Sequence, residues 1–208
     1  MDKEYWETYY ANQRTTDQPS DFARFCAKKY SSKFGQFFDI GCGNGRDTLF
    51  FSSQNIPCIG IDQSQQAITK NNEKKKQLDL PAQFHIGDFS NFDYDSVSKD
   101  LFSVYSRFTL HAINYEEETR LFDHINRSKN LAYLFIEARS IKDALYGSGT
   151  KVGLHEYVST HYRRFIDPVV LKSKLEKTFD IEYFEESQGF AKTETEDPCL
   201  IRLIAKKR

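Results

Sequence analysis

The sequence predicts a single α/β domain built on a seven-stranded, mostly parallel sheet, with helices on both faces and an antiparallel strand pair at the C-terminal end. Three observations carry this. The apolar run Phe37-Phe38-Asp39-Ile40 breaks into Gly41-Cys42-Gly43-Asn44-Gly45 and then into helical character from Arg46 onward. That is a strand, a tight turn and a helix start. Short apolar stretches then alternate with helical ones, the pattern of βαβ units. The last two extended stretches, 179–185 and 199–205, have no helix between them and pair antiparallel.

At 208 residues one domain is the natural size, and it can bury a substantial core. A net charge of -1 gives no global field to draw nucleic acid or an anionic membrane, so neither partner is expected. No stretch approaches the length of a membrane span. Met1-Asp2-Lys3-Glu4-Tyr5-Trp6 has no apolar signal region, so a cytoplasmic location is expected. Cys26, Cys42, Cys58 and Cys199 lie far apart with no C-x-x-C pair. They point to neither zinc nor redox chemistry, and no metal is expected. The oligomeric state is not readable from the chain.

In order, Tyr5, Trp6, Tyr9 and Tyr10 recur at helical spacing, as do Phe22, Phe25 and Lys29. Residues 1–35 therefore read as helices that either cover a sheet edge or form a lid. After the glycine turn come a helix over 46–54, a strand over 58–62 ending in Asp62, and a helix over 64–78 with Ser64 as a possible cap. A strand over 82–88 ends in Asp88-Phe89, and a strand over 101–106 runs into Arg107-Phe108-Thr109-Leu110-His111. A helix over 115–126 opens on Glu116, Glu117 and Glu118, where the dipole favours them. The run 131–137 is continuously apolar, as an interior parallel strand is. Asp167-Pro168 starts the last helix, with proline in its first turn.

The glycine turn is not a dinucleotide fingerprint. Its third glycine arrives one residue early, Arg46 stands where a small residue belongs, and the Asp39 carboxylate would repel phosphate but suit a cation. Asp39-Ile40-Gly41-Cys42-Gly43-Asn44-Gly45 resembles instead the first motif of the class I S-adenosylmethionine (SAM)-dependent methyltransferases, an acidic residue followed by G-x-G-x-G. The resemblance extends over nearly the whole chain, including the terminal strand pair. It implies a Rossmann-like fold, SAM as cofactor and S-adenosylhomocysteine as product. It places Asp39, Gly41, Gly43, Asn44 and Gly45 beside the amino-acid end of SAM, and Asp88 and Phe89 at the adenine.

Asp62, with Gln63 beside it, sits where a carboxylate at the end of the second strand accepts hydrogen bonds from ribose hydroxyls. In this family the end of the fourth strand adjoins the transferable methyl group. Tyr105, Ser106, Arg107 and His111 are therefore candidates for the reaction centre, with Ser106 on the cofactor side. Arg107 paired with an acid, and His111 on a helix surface, are the competing structural readings. The Trp6 ring is a candidate partner for the sulfonium cation.

Residues 140–166 follow the fifth strand on the side where parallel α/β sheets bind ligands. Gly147 to Thr150 reads as a flexible turn, followed by Lys151, His155, Tyr157, His161, Tyr162, Arg163 and Arg164, with Arg139 ahead of it. Arginine binds carboxylate and phosphate in bidentate fashion, and tyrosine or histidine can complete the shell. The expectation is a small anionic acceptor, a phosphate, phosphoramidate or carboxylate, held by Tyr105, Arg107, Arg139, Tyr157, Tyr162, Arg163 and Arg164. Pairing of Arg163 and Arg164 with acids such as Asp167 is the competing reading. An ionised acceptor needs positioning only. A hydroxyl acceptor would need His111, His155 or His161 as base.

Tyr5-Trp6, Pro19 to Ala23, Glu137 to Ser140 and Tyr162 to Phe165 also resemble methyltransferases of bacterial surface-polysaccharide clusters, including candidates for O-methyl phosphoramidate decoration of capsules. Tellurite- and thiopurine-type enzymes are alternatives within the class. A non-catalytic SAM-binding or partner-binding protein on the same fold is the second reading. A nicotinamide oxidoreductase is third.

Overall fold

A computed structural model describes residues 3–12, 16–30 and 35–208. The parts of the expected N-terminal lid at 1–2, 13–15 and 31–34 lie outside the described residues. The strands are β1 (Gln36–Ile40), β2 (Cys58–Asp62), β3 (Gln83–Ile86), β4 (Phe102–Arg107), β5 (Leu131–Arg139), β6 (Thr150–Gly153), β7 (Glu156–Val158), β8 (Tyr162–Arg164), β9 (Phe179–Ser187) and β10 (Leu200–Lys207). The α-helices are α1 (Lys3–Asn12), α2 (Asp21–Tyr30), α3 (Arg46–Ser53), α4 (Gln65–Gln77), α5 (Tyr94–Val97), α6 (Tyr115–Arg127) and α7 (Pro168–Leu175).

Seven strands form one sheet in the order β3-β2-β1-β4-β5-β10-β9, parallel through β5 and antiparallel at β10 and β9. The expected fold class is therefore observed. β1 and β4 lie side by side although β2 and β3 separate them in the chain, so the strand order reverses there. Their C-terminal ends diverge and leave a crevice, the usual ligand position in an open α/β sheet.

Strand period two sends neighbouring residues to opposite faces. Phe37 and Phe38 show it. Phe37 packs on Phe51, Tyr105 and Phe135 on one face, while Phe38 packs on Tyr94 and Phe102 on the other. All of these side chains are buried, and each contributes about 2–3 kcal/mol by leaving water. The helix ends follow local rules. Ser64 caps α4 through the Ala67 amide, Asn114 and Glu117 close a capping box on α6, and Asp167 caps α7 with Pro168 behind it.

The stretch after β5 departs from expectation. Residues 150–164, for which the sequence predicts no secondary structure, form a second, three-stranded antiparallel sheet in the order β6-β7-β8, tied to the main sheet by a bridge between Ser140 and Ile166. The strands are three or four residues long and interrupted by glycine, so no alternation long enough to read survives in the sequence. Tyr146, Tyr157 and Phe165 pack ring against ring beneath them, with centroids 5.3 to 6.0 Å apart. Among the described residues no helix is long and apolar enough to cross a membrane, and no cluster of His, Cys, Asp and Glu is suited to a metal ion.

Candidate active site

A cavity of about 500 Å³ opens where β1 and β4 diverge. Its floor is the glycine turn. Gly41 (φ +65°) lies against the Thr109 side chain, whose hydroxyl donates to the Ile40 carbonyl at 2.7 Å and ties the loops after β1 and β4 together. Gly43 (φ +52°) donates its N–H to Asp62 Oδ2 at 2.9 Å, and its carbonyl accepts from Asn71 Nδ2 at 2.8 Å. A Cβ on Gly43 would stand 2.2 Å from the Tyr10 hydroxyl oxygen. Only glycine suits that backbone and that approach.

The wall beside the turn is acidic. Asp39 is buried, accepts from Thr48 Oγ1 at 2.6 Å, and has its pKa pushed up to about 8 by burial and then by the neighbouring Asp47. Asp47 accepts from the Ser20 amide and hydroxyl, both at 2.7 Å, and from the Tyr105 hydroxyl at 2.8 Å. Asp62 also accepts from the Ser64 amide at 2.9 Å, and burial raises its pKa against those two amide hydrogen bonds. These three carboxylates on one cavity wall make a site for cationic groups.

Helix α1 crosses this wall and contributes Trp6, Tyr9 and Tyr10 to the cavity. It is docked on α4. Glu7 accepts from the Gln66 amide at the start of α4, and Lys70 donates to the Tyr10 and Ala11 carbonyls at the end of α1. Burial and then Asp62 push the Tyr10 phenol pKa well up, so its hydroxyl keeps its proton next to that carboxylate.

At the opposite end stand Arg107, Phe108 and His111. Arg107 Nε donates to Glu137 Oε1 at 3.0 Å, and its guanidinium lies 4.0 Å from the Phe108 ring centre. Glu137 is shared with Arg202 at 2.6 Å. Phe108 itself adopts φ +59°, a left-handed conformation that costs a non-glycine residue about 1–3 kcal/mol. His111 is buried, and its pKa is pushed well below the usual value by burial, then by Arg139 and Arg163. The Arg139 amide donates to its Nδ1 at 3.5 Å, which leaves the ring proton on Nε2. Arg164 holds this segment from behind. It donates to the Ile113 carbonyl at 3.0 Å, to the Leu110 carbonyl at 3.2 Å and to Glu118.

Of the residues picked from the sequence, the structure brings Trp6, Asp39, Gly41, Gly43, Asn44, Asp62, Phe89, Arg107 and His111 to the cavity wall. Others it does not. Tyr105 points by strand alternation into the core, fully buried against Phe22, Phe37 and Phe51. Ser106 is 3% exposed and behind the wall. Gly45 lies beside the Asn71 side chain as the left-handed cap of α3. Asp88 is exposed and caps the turn after β3 through the Ser90 amide, and Gln63 lies behind Asp62.

His155 sits at the β6–β7 hairpin with φ +61°, and its Nδ1 bonds the Tyr146 hydroxyl at 2.8 Å. His161 stacks on Tyr5 at 4.5 Å and packs on Trp6. Tyr157 belongs to the ring cluster under the small sheet, while Tyr162, paired with Val158, lies on the opposite face with its hydroxyl buried. Arg164, Arg139 and Arg163 fall into three different places. Arg164 is in the buried pair with Glu118, not with Asp167. Arg139 is covered by Glu196. Arg163 is half-buried, on the opposite side of β8 from Arg164, and donates to Ser159 Oγ at 3.1 Å.

Sequence reasoning missed Tyr9, Tyr10, Arg46, Asp47 and Phe108 on the wall, and the whole contribution of Ala191, Thr193 and Glu196. The last three lie in a polar connection between β9 and β10 that carries no pattern. Only its position beside the end of β5 gives it meaning.

Residues 37–129 match the family model of a methyltransferase domain. Among solved structures the chain is similar to a SAM-dependent methyltransferase from Anabaena variabilis, with 18% identity, 99% of this chain and 93% of that chain covered, and a TM-score of 0.74. It is similar to a SAM-dependent methyltransferase from Methanosarcina mazei, with 18% identity, 84% and 93% covered, and a TM-score of 0.69. It is also similar to the glycopeptide N-methyltransferase MtfA complexed with S-adenosyl-L-homocysteine, with 13% identity, 97% and 96% covered, and a TM-score of 0.66. No curated protein matches the sequence. The residues present fit SAM. The carboxylate wall suits its ammonium and sulfonium charges. Residues 37–129 thus match a methyltransferase domain, and the whole chain has the fold of the SAM-dependent methyltransferases it resembles.

Proposed function

We propose that the chain methylates a small anionic acceptor bound at the His111 end of the cavity. One observation supports this reading. His111 is on the wall, and burial first and then the positive charges of Arg139, Arg163 and Arg107 push its pKa well down. A field that opposes an imidazolium favours an anion in the same place. The cavity of about 500 Å³ must take a nucleoside and an amino-acid chain first, which leaves room for a small molecule or a protruding group.

SAM supplies an electrophilic methyl group on its sulfonium, and transfer is an in-line displacement. In this reading the Gly41–Asn44 turn and Asp39 hold the methionine end, Asp62 the ribose hydroxyls and Phe89 the adenine face. Trp6 covers the cation with its ring. Arg107 attracts the acceptor anion, and neutral His111 donates its Nε2 proton in a hydrogen bond to it. An ionised oxygen needs orientation rather than a general base. A phosphate, phosphoramidate or carboxylate oxygen meets these terms. The relatives named above give no support to the narrower surface-polysaccharide assignment.

The test is methyl transfer from labelled SAM to a panel of sugar phosphates, phosphoramidates, carboxylates and neutral sugars. Turnover is expected on anionic members only, and Arg163→Ala is expected to raise the acceptor KM while SAM affinity holds. Turnover confined to neutral hydroxyls would reject the reading.

A further inference from the structure

Arg139 stands at the end of β5 with its side chain 8% exposed and two carboxylates on it. Nη1 donates to both oxygens of Asp143, at 3.1 and 3.0 Å, and Nη2 to both oxygens of Glu196, at 2.9 and 2.7 Å. The two acids are not equivalent. Asp143 is 1% exposed, four residues away in the chain, and is the fixed counterion. Glu196 is 42% exposed and comes from the polar connection between β9 and β10. A small turn of that connection presents it. Thr193 donates its amide to the Glu196 carbonyl at 2.8 Å, and the Glu196 amide donates to Thr193 Oγ1 at 3.1 Å.

One arginine with a buried carboxylate already on it needs no second acid for neutrality. The second carboxylate lies on the cavity wall with Arg107, Phe108 and His111, and the Arg139 guanidinium is 5.8 Å from the same Phe108 ring that carries Arg107. A solvent-exposed partner gains little over water and is readily exchanged. Glu196 sets both oxygens on the one nitrogen Nη2, a charge-assisted contact that a carboxylate or phosphate oxygen can take over.

We infer that Arg139 is the anion-recognising residue of the acceptor site and that Glu196 is an internal stand-in for the acceptor's anionic group, displaced when the acceptor binds. The inference rests on the reading of an anionic acceptor given above. Glu196 then sets specificity. A ligand must out-compete an intramolecular carboxylate, which neutral or weakly charged molecules cannot do. If Glu196 is seated about nine-tenths of the time, the apparent dissociation constant of an anion is raised about tenfold.

The experiment titrates inorganic phosphate onto the cofactor-free protein by calorimetry at constant ionic strength. Glu196→Gln is expected to bind phosphate about tenfold more tightly than the parent chain. Glu194→Gln, on the same exposed stretch and with the same change of charge, is expected to leave the affinity unchanged. The double variant Glu196→Gln/Arg139→Lys keeps the charge behind the site, loses the planar fork, and is expected to lose most of the gain. No gain in Glu196→Gln, or an equal gain in Glu194→Gln, overturns the inference. The titration needs no turnover, so the two ideas fail separately. A gain without methyl transfer to any anionic acceptor rejects the acceptor reading alone. Transfer to anionic acceptors, with phosphate affinity and acceptor KM unmoved by Glu196→Gln, rejects the stand-in alone.

Discussion

Arg163 and Arg164 are neighbours of the same type, and alanine substitution separates them. On β8 they face opposite sides. Arg164→Ala removes a buried guanidinium that bonds the Ile113 and Leu110 carbonyls and Glu118. Breaking a buried ion pair by deleting one partner costs about 3–5 kcal/mol, because the other charge stays buried. Lys174 remains 2.9 Å from Glu118 and offsets part of this, so about 3 kcal/mol is expected. For a chain of this size that is a fall in Tm of roughly 6–12 °C. Arg163→Ala loses one hydrogen bond of a half-buried side chain, and about 1 kcal/mol or less is expected. Scanning calorimetry and urea unfolding measure both. Because Arg164 grips the carbonyls on either side of His111, its loss also lowers kcat in whatever fraction stays folded. A loss below about 1 kcal/mol for Arg164→Ala, or equal losses for both variants, would refute the assignment of Arg164 as the positioning residue behind His111.

Asp39 makes stability pH-dependent. Its folded pKa is raised from 3.8 to about 8, so the folded chain holds the proton, and this contribution is complete below about pH 4 and lost as pH rises to about 8. Asp39→Asn should flatten the urea-midpoint profile in that window, and an unchanged slope would assign it to other groups. The ammonium or sulfonium of SAM should favour the ionised form, so SAM affinity should rise between pH 6 and 8.5 in the parent chain but not in Asp39→Asn, as read by calorimetry. Gly43→Ala forces φ +52° on a residue with a Cβ and drives that atom into the Tyr10 hydroxyl. SAM binding about tenfold weaker or worse is expected, with partial recovery in Gly43→Ala/Tyr10→Phe, and parent-like binding would remove the turn from the cofactor site. With its pKa pushed well down, His111 stays neutral through pH 6.5–8.5, so kcat/KM should show no ionisation near pH 6.5 from this residue. His111→Asn should then raise acceptor KM more than it lowers kcat, whereas a collapse of kcat alone would make it a base.

The sequence by itself determined the sheet, the strand pair at its end and the glycine-turn wall of the cavity. These are local in origin. The Phe37–Gly45 run states a strand and a turn with positive φ in consecutive residues, and Asp62 lies at the end of a short apolar strand, so chain position is spatial position. Even the cap at Ser64 is settled within three residues. The surroundings of His111 were decided only by the tertiary structure. Arg139, Arg163 and Arg164 look alike in sequence, yet one is covered by Glu196, one donates to Ser159 and one is locked under His111. A guanidinium's role depends on which carboxylate reaches it, and here Glu118 and Glu196 lie 46 and 57 residues away in the chain. Tyr105 failed as a site residue because alternation on a strand fixes that neighbours part ways, while only packing against Phe22, Phe37 and Phe51 fixes which way is inward. Contacts within a turn are written in consecutive residues, and contacts between distant side chains exist only once the backbone has brought them together.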